Sequence, residues 1–329
     1  MHDETNHHHA ENHKHSRELG HRAKCGAKSL SHEQQTLVKK TASDYKNRKR
    51  FSRQMAKSYQ FDVYWHIIQH TDGRGVVSDK QIEISMNLLN QGFSGNLINA
   101  NEDCFGNKVN GIDTSIQFVL KGIDRTVNDD WFTVSSESDL TPIAESLHKG
   151  NCSTMNVYTS EITDAGGFAN VPITCFDHGI TEDPVFLGYD ELPSSLDAEE
   201  AQYGDLLIHE AGHWVGLEHP FEGGCSESND NIVDTPPQLM VDDECPIGSD
   251  TCAGGGIDSI HNYMAYTGDC CVYRFTPDQI TYAHAQLDAY RVKSNDNPQP
   301  VVDDDDNNDE TGDDNIICVK KIAKKIFAA

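Results

Sequence analysis

Two histidines four residues apart bracket a glutamate in His209-Glu210-Ala211-Gly212-His213-Trp214-Val215-Gly216-Leu217-Glu218-His219. On a helix both imidazoles leave one face and can share a tetrahedral Zn²⁺, while Glu210, one residue on, reaches a water in the open position. Gly216 can adopt the backbone conformation that ends a helix, so the chain can swing His219 back as third ligand. Such a cation is acidic enough to ionise water near neutral pH, and Glu210 stands ready as the base. Multiplying this chain's His, Glu and Gly frequencies puts chance assembly on the order of 10⁻⁴, so a helix that merely happens to carry these residues is a poor account.

Elements able to position that constellation surround it. A helix is expected over Leu196–Gly216. Phe61–Ile68 is rich in β-branched and aromatic residues and reads as a strand, with further strands at Ser115–Lys121 and Thr154–Thr159. Ser78-Asp79-Lys80-Gln81 is a capping box ahead of Ile82, Met86 and Leu89, with Gly92 as the stop. Gly166-Gly167-Phe168-Ala169-Asn170-Val171-Pro172 suits a sheet edge able to pair with an extended peptide. Thr276-Pro277-Asp278-Gln279 caps a second helix, with Ile280, Ala283, His284 and Leu287 on the face that packs behind the first. The fold class is α/β (α+β).

Charge divides the 329 residues. Residues 1–60 hold 13 Lys+Arg against 6 Asp+Glu, residues 61–315 hold 9 against 47, and residues 316–329 add 4 Lys. The overall charge of -27 sets nucleic-acid partners aside, because phosphate contacts need the opposite balance. No apolar run long enough to span a bilayer is present, and Met1–Glu4 opens no apolar signal core, so export would use a leader not read here or another route. The first segment, polar and His-rich (His2, His7, His8, His9, His13, His15), reads as disordered or as a wrapping segment; its histidines read as a solvated or processing stretch, with weak metal binding as the alternative.

The motif with Gly216 and His219 resembles the metzincin clan of zinc endopeptidases, and its continuation Pro220-Phe221-Glu222-Gly223-Gly224-Cys225 is similar to the pappalysin family, secreted microbial type. Asp230–Pro236, Cys245-Pro246, Asp258 through Asn262-Tyr263-Met264-Ala265-Tyr266, Cys271 and Phe275–Gln279 fall in the family's order, and the similarity runs from near 61 to near 291. The resemblance implies a metzincin-like zincin fold: a twisted mixed sheet with an active-site helix and a backing helix above an irregular lower lobe. It implies a zinc-dependent metalloendopeptidase acting on protein or peptide substrates, with zinc on His209, His213 and His219 and Glu210 and Tyr266 catalytic. Met264 would support the histidines from below. Ala265, where relatives more often carry an acid, puts hydrogen bonding of that turn in question.

The resemblance further implies the disulfides Cys225–Cys252 and Cys245–Cys271. Sequence alone allows three connectivities for four cysteines, Cys270 competes with Cys271, and Cys104, Cys152, Cys175 and Cys318 have no assigned partner. A Ca²⁺-stabilised loop at Asp230, Asp234 and Thr235 is implied too; an ordinary solvated loop is the alternative. Cys25 in Arg22-Ala23-Lys24-Cys25-Gly26 resembles the family's pro-segment thiolate, which blocks the open zinc position until processing near Arg48-Lys49-Arg50 and Arg53.

The expected organisation is a basic, His-rich pro-segment over 1–55, a metalloprotease domain over 56–293, an acidic disordered linker over 294–315 and a basic amphipathic tail over 316–329. That tail could make weak contact with an anionic membrane surface; a frayed end is the other reading. The rival function is a non-enzymatic metal- or surface-binding protein built on the His-rich and basic tails.

Overall fold

The computed structural model describes residues 30–51, 57–96, 105–163, 165–194, 204–226, 230–242 and 245–292. Its centre is β1 (Tyr59–Gln69), which alternates buried and exposed residues as far as Val63 and is buried on both faces from Trp65 to Ile68. β1 lies between β2 (Ile116–Val127) and β4 (Thr154–Ile162), both parallel to it, and β6 (Pro184–Gly188) continues the parallel order beyond β4. β5 (Gly167–Ala169) closes this side as an antiparallel edge on β6, and the short β3 (Thr133–Val134) pairs with β4. β2 and β4 outrun the spans expected from sequence because their last residues continue the ladder after the apolar pattern has faded.

Side-chain alternation along β1 builds two cores. Phe61, Val63, Trp65 and Ile67 face one way and meet α2 (Asp79–Ser94) and α6 (Asp205–Trp214), through Ile82, Met86 and Leu89 on the first and Leu207, Ala211 and Trp214 on the second. Ile68, Tyr158 and Phe186 face the other way, onto Phe132 of α3 (Asp129–Phe132) and Leu140, Ile143 and Ala144 of α4 (Glu137–Leu147). α5 (Pro172–His178) follows the edge strand. Lower down, the chain from 217 to 276 carries no helix or strand among its described residues, apart from the single bridge Asn262–Arg274. α7 (Pro277–Gln286) and a π turn (Leu287–Arg291) then back the molecule.

Both capping boxes form: the Ser78 and Thr276 hydroxyls accept from the backbone N–H of Gln81 and Gln279. Gly92 is not a stop. α2 runs to Ser94 and ends at Gly95, which has φ 67°, while a Cβ on Gly92 would lie 2.5 Å from Ile208 Cδ1. Gly92 therefore permits close approach of α2 to α6 rather than termination.

Where it is described, the N-terminal segment takes the wrapping form rather than a disordered one. His32–Phe51 forms a helix of 20 residues, α1, that packs on the molecule through Val38 (3% exposed) and, less deeply, Leu30, Leu37 and Ala42. A single narrow apolar stripe on an otherwise polar, basic helix carries this packing, so composition hid it. The His-rich start and the stretches 294–315 and 316–329 lie outside the described residues.

Candidate metal centre and active site

α6 is described from Asp205; the earlier part of the expected Leu196–Gly216 span falls largely outside the described residues. The helix ends as glycine allows. Gly216, at φ 111°, donates its N–H to His213 O and Leu217 donates to Gly212 O, the paired bonds of a Schellman turn. The chain reverses there and returns His219 to the helix face.

His209 and His213 each direct Nδ1 at a backbone carbonyl, Tyr263 O at 2.7 Å and Leu217 O at 2.7 Å. A carbonyl only accepts, so both Nδ1 atoms carry the proton and both Nε2 atoms present lone pairs. Those lone pairs converge: Nε2 of His219 lies 3.2 Å from Nε2 of His209 and 3.1 Å from that of His213. Nitrogens bound to one tetrahedral Zn²⁺ at 2.0–2.1 Å are separated by about 3.3 Å. All three rings are buried, and such a set of facing lone pairs suits a cation between them. The residues present therefore fit a metal ion.

Glu210 is fully buried, and its carboxylate lies against the edge strand: a Cβ on Gly167 would sit 2.7 Å from Oε1. Any residue but glycine there would push the carboxylate aside. Met264, 0% exposed, lies under the helix at Gly212, where an added Cβ would be 2.3 Å from Sδ. Its turn is held without an acid at Ala265. Met264 N–H donates to Asn262 Oδ1, and the Asn262 and Gln279 amides bond reciprocally at 2.8 and 3.1 Å. Tyr266 presents its ring 4.9 Å from His219, and Phe221, a residue the sequence reading left unassigned, stacks on His219 at 4.6 Å and meets Tyr266 edge-on at 4.9 Å.

The lower lobe holds the disulfides Cys225–Cys252 and Cys245–Cys271, and Cys270 is itself disulfide-bonded. A third pair, Cys152–Cys175, joins the start of β4 to α5; its 23-residue separation carried no local signal. His261 lies with Cys245 and Cys271 in a metal-like grouping, but both sulfurs are in the disulfide.

Of the expected calcium residues, Asp230 and Thr235 meet directly, the hydroxyl donating to both carboxylate oxygens at 2.9 and 2.8 Å. Asp234 instead accepts from Thr276 Oγ1 and the Asp278 N–H, capping α7. Burial pushes the Asp230 carboxyl up to about 8, against the Thr235 and Ile232 bonds that pull it down. Glu218 is raised to about 7 by burial and by Glu222, with Lys39 of α1 opposing. Cys25 lies outside the described residues.

A buried cluster that sequence reasoning missed fixes the end of α6. Arg291 and Asp183, both 0% exposed, pair through two bonds at 2.8 and 2.9 Å, and Arg291 Nε donates to Trp214 O at 2.8 Å. The guanidinium lies 3.5 Å over the Trp214 ring, whose indole N–H also donates to Asp183. Burial favours a neutral Asp183 carboxyl, and Arg291 opposes this.

This sheet, helix and returning third histidine are those of a metzincin-type zinc metalloprotease. The solved promirolysin mutant of Tannerella forsythia is similar at 26% identity and a TM-score of 0.61, over 81% of this chain and 94% of that one. Mature mirolysin in complex with a cleaved peptide matches at 25% and 0.57, over 74% and 100%. The family described as pregnancy-associated plasma protein-A matches residues 142–288. An extracellular metalloprotease of Verticillium alfalfae is 34% identical over 238 residues, 70% of this chain and 76% of its own length, and one of Arthroderma benhamiae is 30% identical over 283 residues, 84% and 87%. The chain belongs to the pappalysin family of metalloproteases. It is a hydrolase, and a non-enzymatic binding protein is not the class to which its relatives belong.

Proposed function

We propose that the chain is a secreted endopeptidase, made as a latent precursor, that cleaves extended protein segments with His209, His213 and His219 holding the zinc. The observation that carries this reading is the convergence of three buried Nε2 lone pairs beside a buried glutamate that lies against the last strand of the sheet. When bound, zinc supplies Lewis acidity to the scissile carbonyl and to water. Glu210 takes the proton from the attacking water and delivers it to the leaving amine, a role served by its position one residue after the first ligand and against Gly167. Tyr266 donates from its phenol to the oxyanion that forms. β5, the last strand of the sheet among the described residues, aligns the substrate as an added antiparallel strand, and hydrolysis of the extended peptide proceeds without a covalent intermediate.

The extracellular names of the relatives support secretion, and a neighbour solved as a pro-form supports latency, for which Cys25 is the proposed blocking thiolate. We assign the catalytic domain to 56–293 and the segment to be processed to 1–55. Calcium at Asp230 and Thr235, with Asp234 serving the α7 cap, belongs to the same reading.

The test is Glu210→Gln in the processed enzyme. Zinc content and the thermal unfolding curve should match wild type, while hydrolysis of a quenched fluorescent peptide falls by at least ~10³-fold. Turnover near wild type in the zinc-loaded variant would remove Glu210 from the chemistry.

A further inference from the structure

α1 makes its contacts with the body through residues spread from Gln34 to Lys46. Gln34 Nε2 donates to Asp177 Oδ2 of α5 at 3.3 Å, and Gln286 Nε2 of α7 donates to Val38 O at 3.4 Å. Thr41 Oγ1 lies 3.3 Å from the Tyr290 hydroxyl of the π turn, and Lys46 pairs with Asp278 at the start of α7 at 3.4 Å. Between these polar contacts Val38 enters the same core as Trp214 and Tyr290, with Leu30, Leu37 and Ala42 beside it. Charge is complementary as well, because the basic helix meets a body in which acids outnumber bases 47 to 9 over residues 61–315.

We propose that α1 is a self-standing anchor: the surface formed by α5, α7 and the π turn keeps it bound after the chain is cut between α1 and β1, so that loss of the N-terminal segment requires undocking of Val38 as well as the cut. This rests on the reading of 1–55 as a segment that is processed. Arg48, Lys49 and Arg50 belong to the helical span, and a protease reads extended backbone rather than helix, so the cut is placed after the helix, where Arg53 follows in sequence. A cut there severs the tether and leaves these polar contacts and the Val38 packing in place. The anchor also touches the metal centre's support. The Gln286 side chain that bonds Val38 lies against Gly216, where an added Cβ would be 2.5 Å from Cγ, and the Gly216 turn is the one that returns His219.

The experiment uses the full chain with a single protease recognition sequence replacing residues 52–56, cut to completion and run on native gel filtration at micromolar concentration. The N-terminal fragment should co-elute with the body at low salt and should be partly lost in 1 M salt, where charge attraction is screened. Val38→Asp should release it, and Val38→Ala, which leaves the body able to fold, should speed its dissociation about tenfold. Complete separation of the fragment from the nicked wild-type body overturns the proposal, as does a dissociation rate that Val38→Ala leaves unchanged. Peptidase activity of the same samples reports on latency separately. Full activity before the cut, with the fragment co-eluting after it, would refute latency and leave the anchor standing.

Discussion

The sheet half of the molecule and the lobe beneath it are stabilised by different means, and the metal centre spans both. Above, Val63, Trp65, Ile67, Met155, Val157 and Val185 are all 0% exposed, and regular elements satisfy their backbone groups. Below, order comes from the two disulfides and from side chains that bond loop backbone. Asp258 accepts from Thr251 N–H and Oγ1, and Gln238 from Ser259 N–H. His209, His213 and Glu210 belong to the first half, whereas His219, Met264 and Tyr266 arrive from the second. A site assembled this way takes its ligand spacing from a helix and its closure from loops, so damage to either half should be felt differently at the metal.

The largest effect should come from the upper half. Arg291→Leu leaves the Asp183 carboxylate buried without its partner, which should cost about 3–5 kcal/mol in denaturant unfolding. Arg291→Leu combined with Asp183→Leu should recover much of that loss; a double variant as unstable as the single one would mean that packing over Trp214, not charge, is what matters.

At the boundary, Gly212→Ala forces a methyl against Met264 Sδ, and about 1–3 kcal/mol of destabilisation is expected. Pairing it with Met264→Ala should restore part of the loss and identify the methionine as the obstacle. Equal destabilisation of single and double variants would place the strain elsewhere.

The smallest effect concerns the lower lobe and pH. Because Asp230 titrates near 8 when folded and near the ordinary carboxyl value of 3.8 when unfolded, the folded state holds its proton more tightly between these values. Stability should therefore fall as pH rises from about 4 to about 8, and Asp230→Asn should flatten that fall. In calcium-free buffer the difference in Tm between pH 5 and pH 8.5 should shrink by a few °C, on the order of 1 kcal/mol. An unchanged slope would show that Asp230 is not the group responsible.

How much was legible follows the same division. β1, the two capping boxes and the helix that carries His209 and His213 announce themselves through short-range spacing, which backbone geometry alone enforces. Gly92 misled because a glycine needed for helix–helix contact and a glycine that ends a helix look alike in one dimension. α1 was obscured by a stripe too narrow to register against its lysines. Asp183 with Arg291 and Cys152 with Cys175 are separated by 108 and 23 residues, and nothing local marks either partner. Asp234 offered an oxygen-rich loop to a cation in sequence, yet in the fold it caps α7.

The central claim is that one metal ion is shared by two histidines from the helix and one from beyond its end. Zinc per chain, measured after dialysis of processed wild type and His219→Ala against a mild chelator, tests it most directly. The account predicts close to one equivalent in wild type and a large deficit in His219→Ala, with the unfolding curve of the metal-free proteins nearly the same. Undiminished zinc in His219→Ala would contradict it, because the ligand supplied by the lower lobe would then be dispensable.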